Sequence, residues 1–177
     1  VTALRGQAWC ARESGEADQA LDALQRAREV AAAAGLEGAG LQAAVDEAQV
    51  WISRGDLDRA QQRLGDLDLR AALPATAGEA LSLRAHIAAR QRHWARADEL
   101  ASRALVVLRA AGQPRPLGAA LYAAGQIAGA LGDGARAGAL LGEALGMAVR
   151  AGLPEQAMIR ATLDRMTQRA PTTKDPP

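Results

Sequence analysis

The chain has 177 residues, 49% of them hydrophobic but only 2% aromatic, and its 21 basic and 20 acidic side chains leave a formal charge of +1. Apolar mass carried by Ala and Leu favours helices, and nowhere do β-branched residues alternate with polar ones as a strand would require. The near-zero charge excludes a strong field for nucleic acid or an anionic membrane. No apolar run approaches the ~20 residues that span a bilayer. One cysteine, Cys10, excludes an internal disulfide and suits a reducing, cytoplasmic setting; within its Ala-rich run it reads as a small buried apolar residue. The chain opens at Val1 inside a helical pattern, with no signal peptide, and so reads as a piece of a longer or processed protein.

Nine helical runs follow in order. The first covers about 2–14, with Leu4, Ala8 and Ala11 at helical spacing, and Gly15 suits the left-handed position after its end. The second, about 17–34, places Ala20, Leu24, Ala27 and Ala31 on one stripe before Gly35, Gly38 and Gly40 break it. The third, 41–54, carries Ala44, Ala48 and Trp51 and stops at Gly55. The fourth, from Leu57 with Ala60, Leu64 and Leu67, is the weakest, because Gly65 lies inside it and Pro74 follows. Thr76 with Glu79 predicts a capping box opening the fifth run, whose stripe is Leu81, Ala85 and Ala88. Trp94 opens the sixth, with Ala97, Ala101, Ala104 and Leu108, and Gly112, Pro114 and Pro116 form the next breaker. The seventh, 117–131, holds Leu121, Ala124, Gly125 and Ala128; the eighth, 135–151, holds Ala137, Leu141, Ala144 and Ala148. Pro154 fits the first turn of a ninth, about 154–168, carrying Met158, Ala161, Leu163 and Met166. Residues 170–177, rich in proline, predict a disordered tail.

The turns carry a repeat. Gly15-Glu16-Ala17-Asp18-Gln19-Ala20 has relatives at Gly55–Ala60 and Gly132–Ala137, and a degenerate copy at Arg92–Ala97. The terminal alanines lie 60−20 = 40, 97−60 = 37 and 137−97 = 40 residues apart. Self-similarity at such a period marks a stacked-repeat architecture.

Helix pairs with Leu121, Gly125, Ala128, Gly132, Ala137, Leu141 and Ala144 in the fourth copy, and matching positions in the other three, resemble the tetratricopeptide repeat (TPR). The period is longer than that family's and most aromatic positions are Ala or Leu. In those respects the chain is similar to TPR regions of bacterial signalling and transcription-activator proteins. The resemblance implies an all-α, right-handed α-solenoid of four TPR-like helix pairs over about 1–37, 38–74, 75–113 and 114–152, a capping helix at 154–169, and the tail. In that family the first helix of each pair lines a concave groove. Carried onto this chain, the lining is Arg5, Trp9 and Arg12, then Gln42, Val45, Asp46 and Gln49, then Ser82, His86 and Arg90, then Tyr122 and Gln126. Arg90, His86, Tyr122 and Gln126 are expected to converge. The resemblance implies a scaffold that binds a peptide, helix or neighbouring domain, within a larger bacterial signalling or regulatory protein. The alternative is an effector-sensing domain of a signalling ATPase or transcription activator that takes a small molecule.

Chemistry is not legible. His86 reads as a groove polar residue and His93 as a turn residue; with one cysteine they assemble no zinc site. Glycine-rich stretches follow helices rather than strands and lack the Lys-Ser/Thr of a phosphate loop. No nucleophile elbow is present. The chain therefore reads as no enzyme, with no cofactor or metal. The dispersed arginines lie near acids, as in Arg26-Ala27-Arg28-Glu29, which argues against nucleic acid. The ninth helix, with Arg160, Asp164, Arg165 and Arg169 opposite Met158 and Leu163, reads as a polar cap. The first helix has none, so fraying or self-association there is expected.

Overall fold

A computed structural model describes residues 1–169, and side chains as far as Met166. The tail expected to be disordered, 170–177, lies outside the described residues. Among the described residues there are nine helices and no strand. They are α1 (Thr2–Glu13), α2 (Ala17–Ala33), α3 (Glu37–Ser53), α4 (Leu57–Gly65), α5 (Pro74–Arg90), α6 (Trp94–Ala111), α7 (Pro114–Ala130), α8 (Gly134–Arg150) and α9 (Gln156–Arg169). Each packs on the next along the chain, and α1, α3, α5 and α7 also touch in sequence, which makes them one row of an all-α solenoid. No described helix is long and apolar enough to cross a membrane.

The turns repeat one device. At Gly15, Gly35, Gly55, Gly132 and Gly152 the backbone takes a positive φ of 62–85°. The residue after each glycine then donates its N–H five residues back, as Glu16 does to Ala11 (2.8 Å), Asp56 to Trp51 (3.0 Å) and Asp133 to Ala128 (3.0 Å). This satisfies carbonyls that the helix end orphans, in a conformation that costs glycine no side-chain clash. Asp56 and Asp133 then cap the next helix, accepting from the N–H of Arg59 and Arg136 at 3.0 Å. The degenerate turn keeps the same bonds, His93 to Ala88 at 2.9 Å, with Arg92 forced to φ 61°. It is the non-glycine residue in the left-handed region among the described residues.

The stripes read from periodicity form the core. Ala20, Ala60, Ala97 and Ala137 are each fully buried, beside fully buried Leu24, Leu64, Leu108, Leu121 and Leu141. Close approach is tight at Gly125, where a Cβ would lie 2.7 Å from the Leu141 Cγ.

Several expectations are corrected. Gly38 and Gly40 do not break the chain: Gly35 alone ends α2, and α3 starts at Glu37 and runs through both. Pro114 and Pro116 open α7 rather than interrupt, because a proline in the first turn forfeits no helical N–H bond. Thr76 is no N-cap, since α5 starts at Pro74 and buries it. α4 ends at Gly65, so Leu67 falls outside it. On α9, which begins at Gln156 rather than Pro154, Ile159 and Thr162 are buried while Met158 and Ala161 are exposed. Cys10 is exposed, not buried, and Val45 is fully buried rather than lining a groove.

Ala137→Leu should overpack the α7–α8 crossing and cost ~1–3 kcal/mol, whereas Ala32→Leu, at an exposed position, should be nearly silent in urea unfolding. Equal losses would mean that the register is wrong. At the degenerate turn, Arg92→Gly should raise stability by a few tenths to about 1 kcal/mol, because relief of left-handed strain exceeds the entropy glycine adds to the unfolded chain; Gly55→Ala should lower it by about 1 kcal/mol. A destabilised Arg92→Gly would refute the strain.

Candidate functional site

The row of first helices presents polar side chains at helical spacing: Arg5, Trp9 and Arg12 on α1, Gln42, Asp46 and Gln49 on α3, Ser82, His86 and Arg90 on α5, and Tyr122 and Gln126 on α7. Residues three, four or seven apart on a helix share a face, so each set forms a stripe. The stripes of α1, α3 and α5 are joined by side-chain bonds. Arg5 Nε lies 2.6 Å from Asp46 Oδ2, and Gln42 Nε2 donates to Asp46 Oδ1 at 3.3 Å. The same Gln42 nitrogen donates to Glu79 Oε2 at 3.0 Å, and its oxygen accepts from the Thr76 hydroxyl. Arg12 Nη1 donates to Gln49 Oε1 at 2.8 Å.

Sequence reasoning missed Thr76 and Glu79, having assigned them to a cap. Glu79 precedes Ser82 by three residues and so continues the Ser82–His86–Arg90 stripe, which was the available signal. Burial pushes the Glu79 carboxyl above the usual range, and the Asp46 charge adds to this, against the Gln42 bond and the Arg5 charge.

The C-terminal part is built differently. Gln126 Nε2 donates to the Tyr122 hydroxyl at 2.9 Å, and that hydroxyl meets the Thr162 Oγ1 of α9 at 3.2 Å, 40 residues on. Arg165 Nη2 also reaches Thr162 Oγ1, at 3.1 Å. Thus α9 contributes to this row, which a reading of it as a cap did not anticipate. Thr162 lies one repeat period after Tyr122, and that spacing was the readable clue. Of the four residues expected to converge, Tyr122 and Gln126 are hydrogen-bonded to each other, and the Arg90 charge is felt at the His86 imidazole. His86 is pushed below the usual histidine range, first by burial and then by Arg90. Arg90 and Gln126 are exposed, and Trp9 is 53% exposed.

These groups are donors, acceptors and three rings, suited to non-covalent recognition. Among the described residues, no group of three or more His, Cys, Asp or Glu side chains is placed to hold a metal ion.

No family model matches the chain, and no curated protein sequence matches it. Solved structures do. The crystal structure of BtubC (BKLC) from P. vanneervenii is 22% identical with a TM-score of 0.65, over 95% of this chain and 67% of that one. The putative kinesin light chain of Podosopora anserina, solved for its nearly identical TPR-like repeats, is 13% identical with a TM-score of 0.67, over 94% and 85% of the two chains. A point-variant form of that protein is 14% identical at the same TM-score. The chain has the TPR-like helical-repeat fold.

The lowered His86 pKa sets a pH dependence. A histidine that binds its proton less tightly when folded gives a contribution fully present above the unfolded value of 6.5 and lost as pH falls toward the folded pKa. Glu79, raised from 4.5, works oppositely: its cost grows as pH rises from there through its folded pKa. Urea unfolding at about pH 7.5 and about pH 5.5 should therefore show His86→Gln losing less stability on acidification than the parent, with Glu79 common to both. Equal losses would remove His86 as a titrating group.

Proposed function

We propose that the chain is a protein-interaction scaffold whose row of first helices forms the inner, partner-binding face. The observation that carries this is the set of polar bonds linking α1, α3 and α5, with its counterpart between α7 and α9, at spacings near the repeat period. Side chains locked across successive repeats hold a wall in one shape, so a partner meets a preorganised surface and little ordering entropy is lost. Repeat solenoids characteristically offer such extended surfaces rather than enclosed reaction chambers. The TPR-like fold of the solved neighbours supports the reading at the level of architecture.

On this reading Trp9, Arg90 and Gln126, all exposed, do the recognising, while Arg5, Arg12, Gln42, Asp46 and Gln49 hold the wall. Ser82, His86 and Tyr122 lie between the two groups, half-buried. Arg90 offers a fork of donors and Tyr122 a stacking face, a combination suited to a peptide or helix carrying an acidic or amide group beside a small apolar one. A service within a larger signalling protein rests on the sequence resemblance.

Affinity capture from the source cell, with the parent chain and with the double variant Arg90→Ala, Tyr122→Ala, tests the proposal. Partner binding should fall ~10-fold or more, as loss of an Arg and a Tyr from a contact centre does, with the thermal midpoint moving by a few degrees at most. Binding that survives this change but disappears when outer-helix arginines such as Arg96 and Arg103 are neutralised would move the working surface to the other face.

A further inference from the structure

The second helices of the pairs are not equal. From the fully buried alanine that starts each stripe, α2 continues 33−20 = 13 residues, α6 111−97 = 14 and α8 150−137 = 13, but α4 only 65−60 = 5. α4 thus stops about eight residues, or two turns, before its counterparts. Its end is built rather than frayed. The Leu64 carbonyl accepts from the Arg84 guanidinium of α5, and the chain turns away through 66–73 to Pro74, with Leu69 packed into the core.

A cleft of about 990 Å³ opens where those turns would lie. Ala31 and Ala32 of α2, Gly40 and Ala44 of α3, and Leu67 past α4 are among the residues that line it. In the repeat register the missing turns, 66–73, match 26–33 of α2, which is the part of α2 facing the cleft. An α-helix of eight residues is about 12 Å long and about 10–12 Å across, a volume of roughly 1,000 Å³. The size agrees.

The chemistry of the floor narrows the occupant. Glu47 is buried, with Arg28 Nη1 at 3.2 Å from one carboxylate oxygen and Arg63 Nε at 2.6 Å from the other. Two guanidiniums face one carboxylate, so the floor holds one surplus positive charge and several N–H donors that Glu47 does not use. At the rim the charges are acidic: Glu29, Glu37 and Asp66. Small residues at the wall let a backbone approach closely, as they do between this chain's own helices.

We propose that this cleft docks a short amphipathic helix of a partner protein, which takes the place of the missing turns of α4. The helix presents small apolar side chains to Ala32, Gly40 and Leu41, which line the cleft and keep accessible surface, a carboxylate to Arg28 and Arg63, and basic residues to the acidic rim. This surface lies on the side of the second helices and is separate from the first-helix wall.

A displayed library of helix-forming peptides about three turns long, selected on the full chain, tests it. Ala32→Trp serves as the blocked control, because that side chain is exposed and its change leaves the core alone. Recovered peptides should share apolar residues at helical spacing with a central Glu or Asp. They should lose ~10-fold or more in affinity for Ala32→Trp and bind Arg90→Ala unchanged. Peptides that bind Ala32→Trp as well as the parent, a pool without an acidic amphipathic consensus, or no enrichment over the blocked control would each overturn the proposal. Concentration-dependent dimerisation of the parent that Ala32→Trp abolishes would identify a second copy as the occupant instead, and would overturn it too.

Discussion

The close approach of helices at alanine and glycine is the constraint on which the rest depends. With 2% aromatic residues the chain cannot hold helices together by large interlocking side chains. It brings backbones together instead, at fully buried Ala20, Ala60, Ala97 and Ala137, and lets leucines fill what remains, as Leu141 does over Gly125. Each alanine buries little area, so stability comes from repetition of the contact along the array. The same scarcity of large side chains explains why one shortened helix leaves an open cleft. Trp51 at its edge does not collapse into the gap behind α4, because it is occupied beneath the guanidiniums of Arg59 and Arg54.

Polar chemistry follows from this geometry. Helices set at a fixed spacing bring side chains one period apart into register, and the bonds between first helices join residues 34 to 41 apart in sequence. Such bonds add modest net stability each, but they remove alternative registers that an alanine-rich interface alone would tolerate. The buried Glu47 with its two arginines does the same between α2, α3 and α4. Fixing register and presenting a surface are thus two consequences of one set of side chains.

Much of the fold was legible because its signals are local. A glycine at a positive-φ helix end is required by backbone sterics, so the Gly15, Gly55 and Gly132 turns announced themselves, and a 3.6-residue stripe of alanine needs no partner to be read. Where local chemistry had two solutions, tertiary packing chose. Gly38 and Gly40 are poor helix formers in isolation, yet they sit in α3, where a methyl group at Gly40 would lie 3.6 Å from the Ala31 Cβ of α2. Thr76 and Glu79 fit a capping box by spacing, but Gln42, far off in sequence, offered both a partner. On α9 the buried side holds Ile159 and Thr162, the latter bonded to Tyr122 from far off in sequence, while Met158 is exposed. Candidate wall residues could be placed on helices from sequence; which of them bond one another and which stay exposed depended on the distance between helices.

Hydrogen exchange along the second helices tests the central claim most directly. If close packing at small residues stabilises the array and α4 is its interrupted member, then α6 and α8 should share high protection near the global unfolding free energy. Amides of α4 should exchange through a local opening of clearly lower free energy, since that helix is the shortest of its row and packs sparsely on α5. Protection in α4 equal to that in α8 would contradict the account, because the array would then owe its stability to something other than the repeated helix crossing.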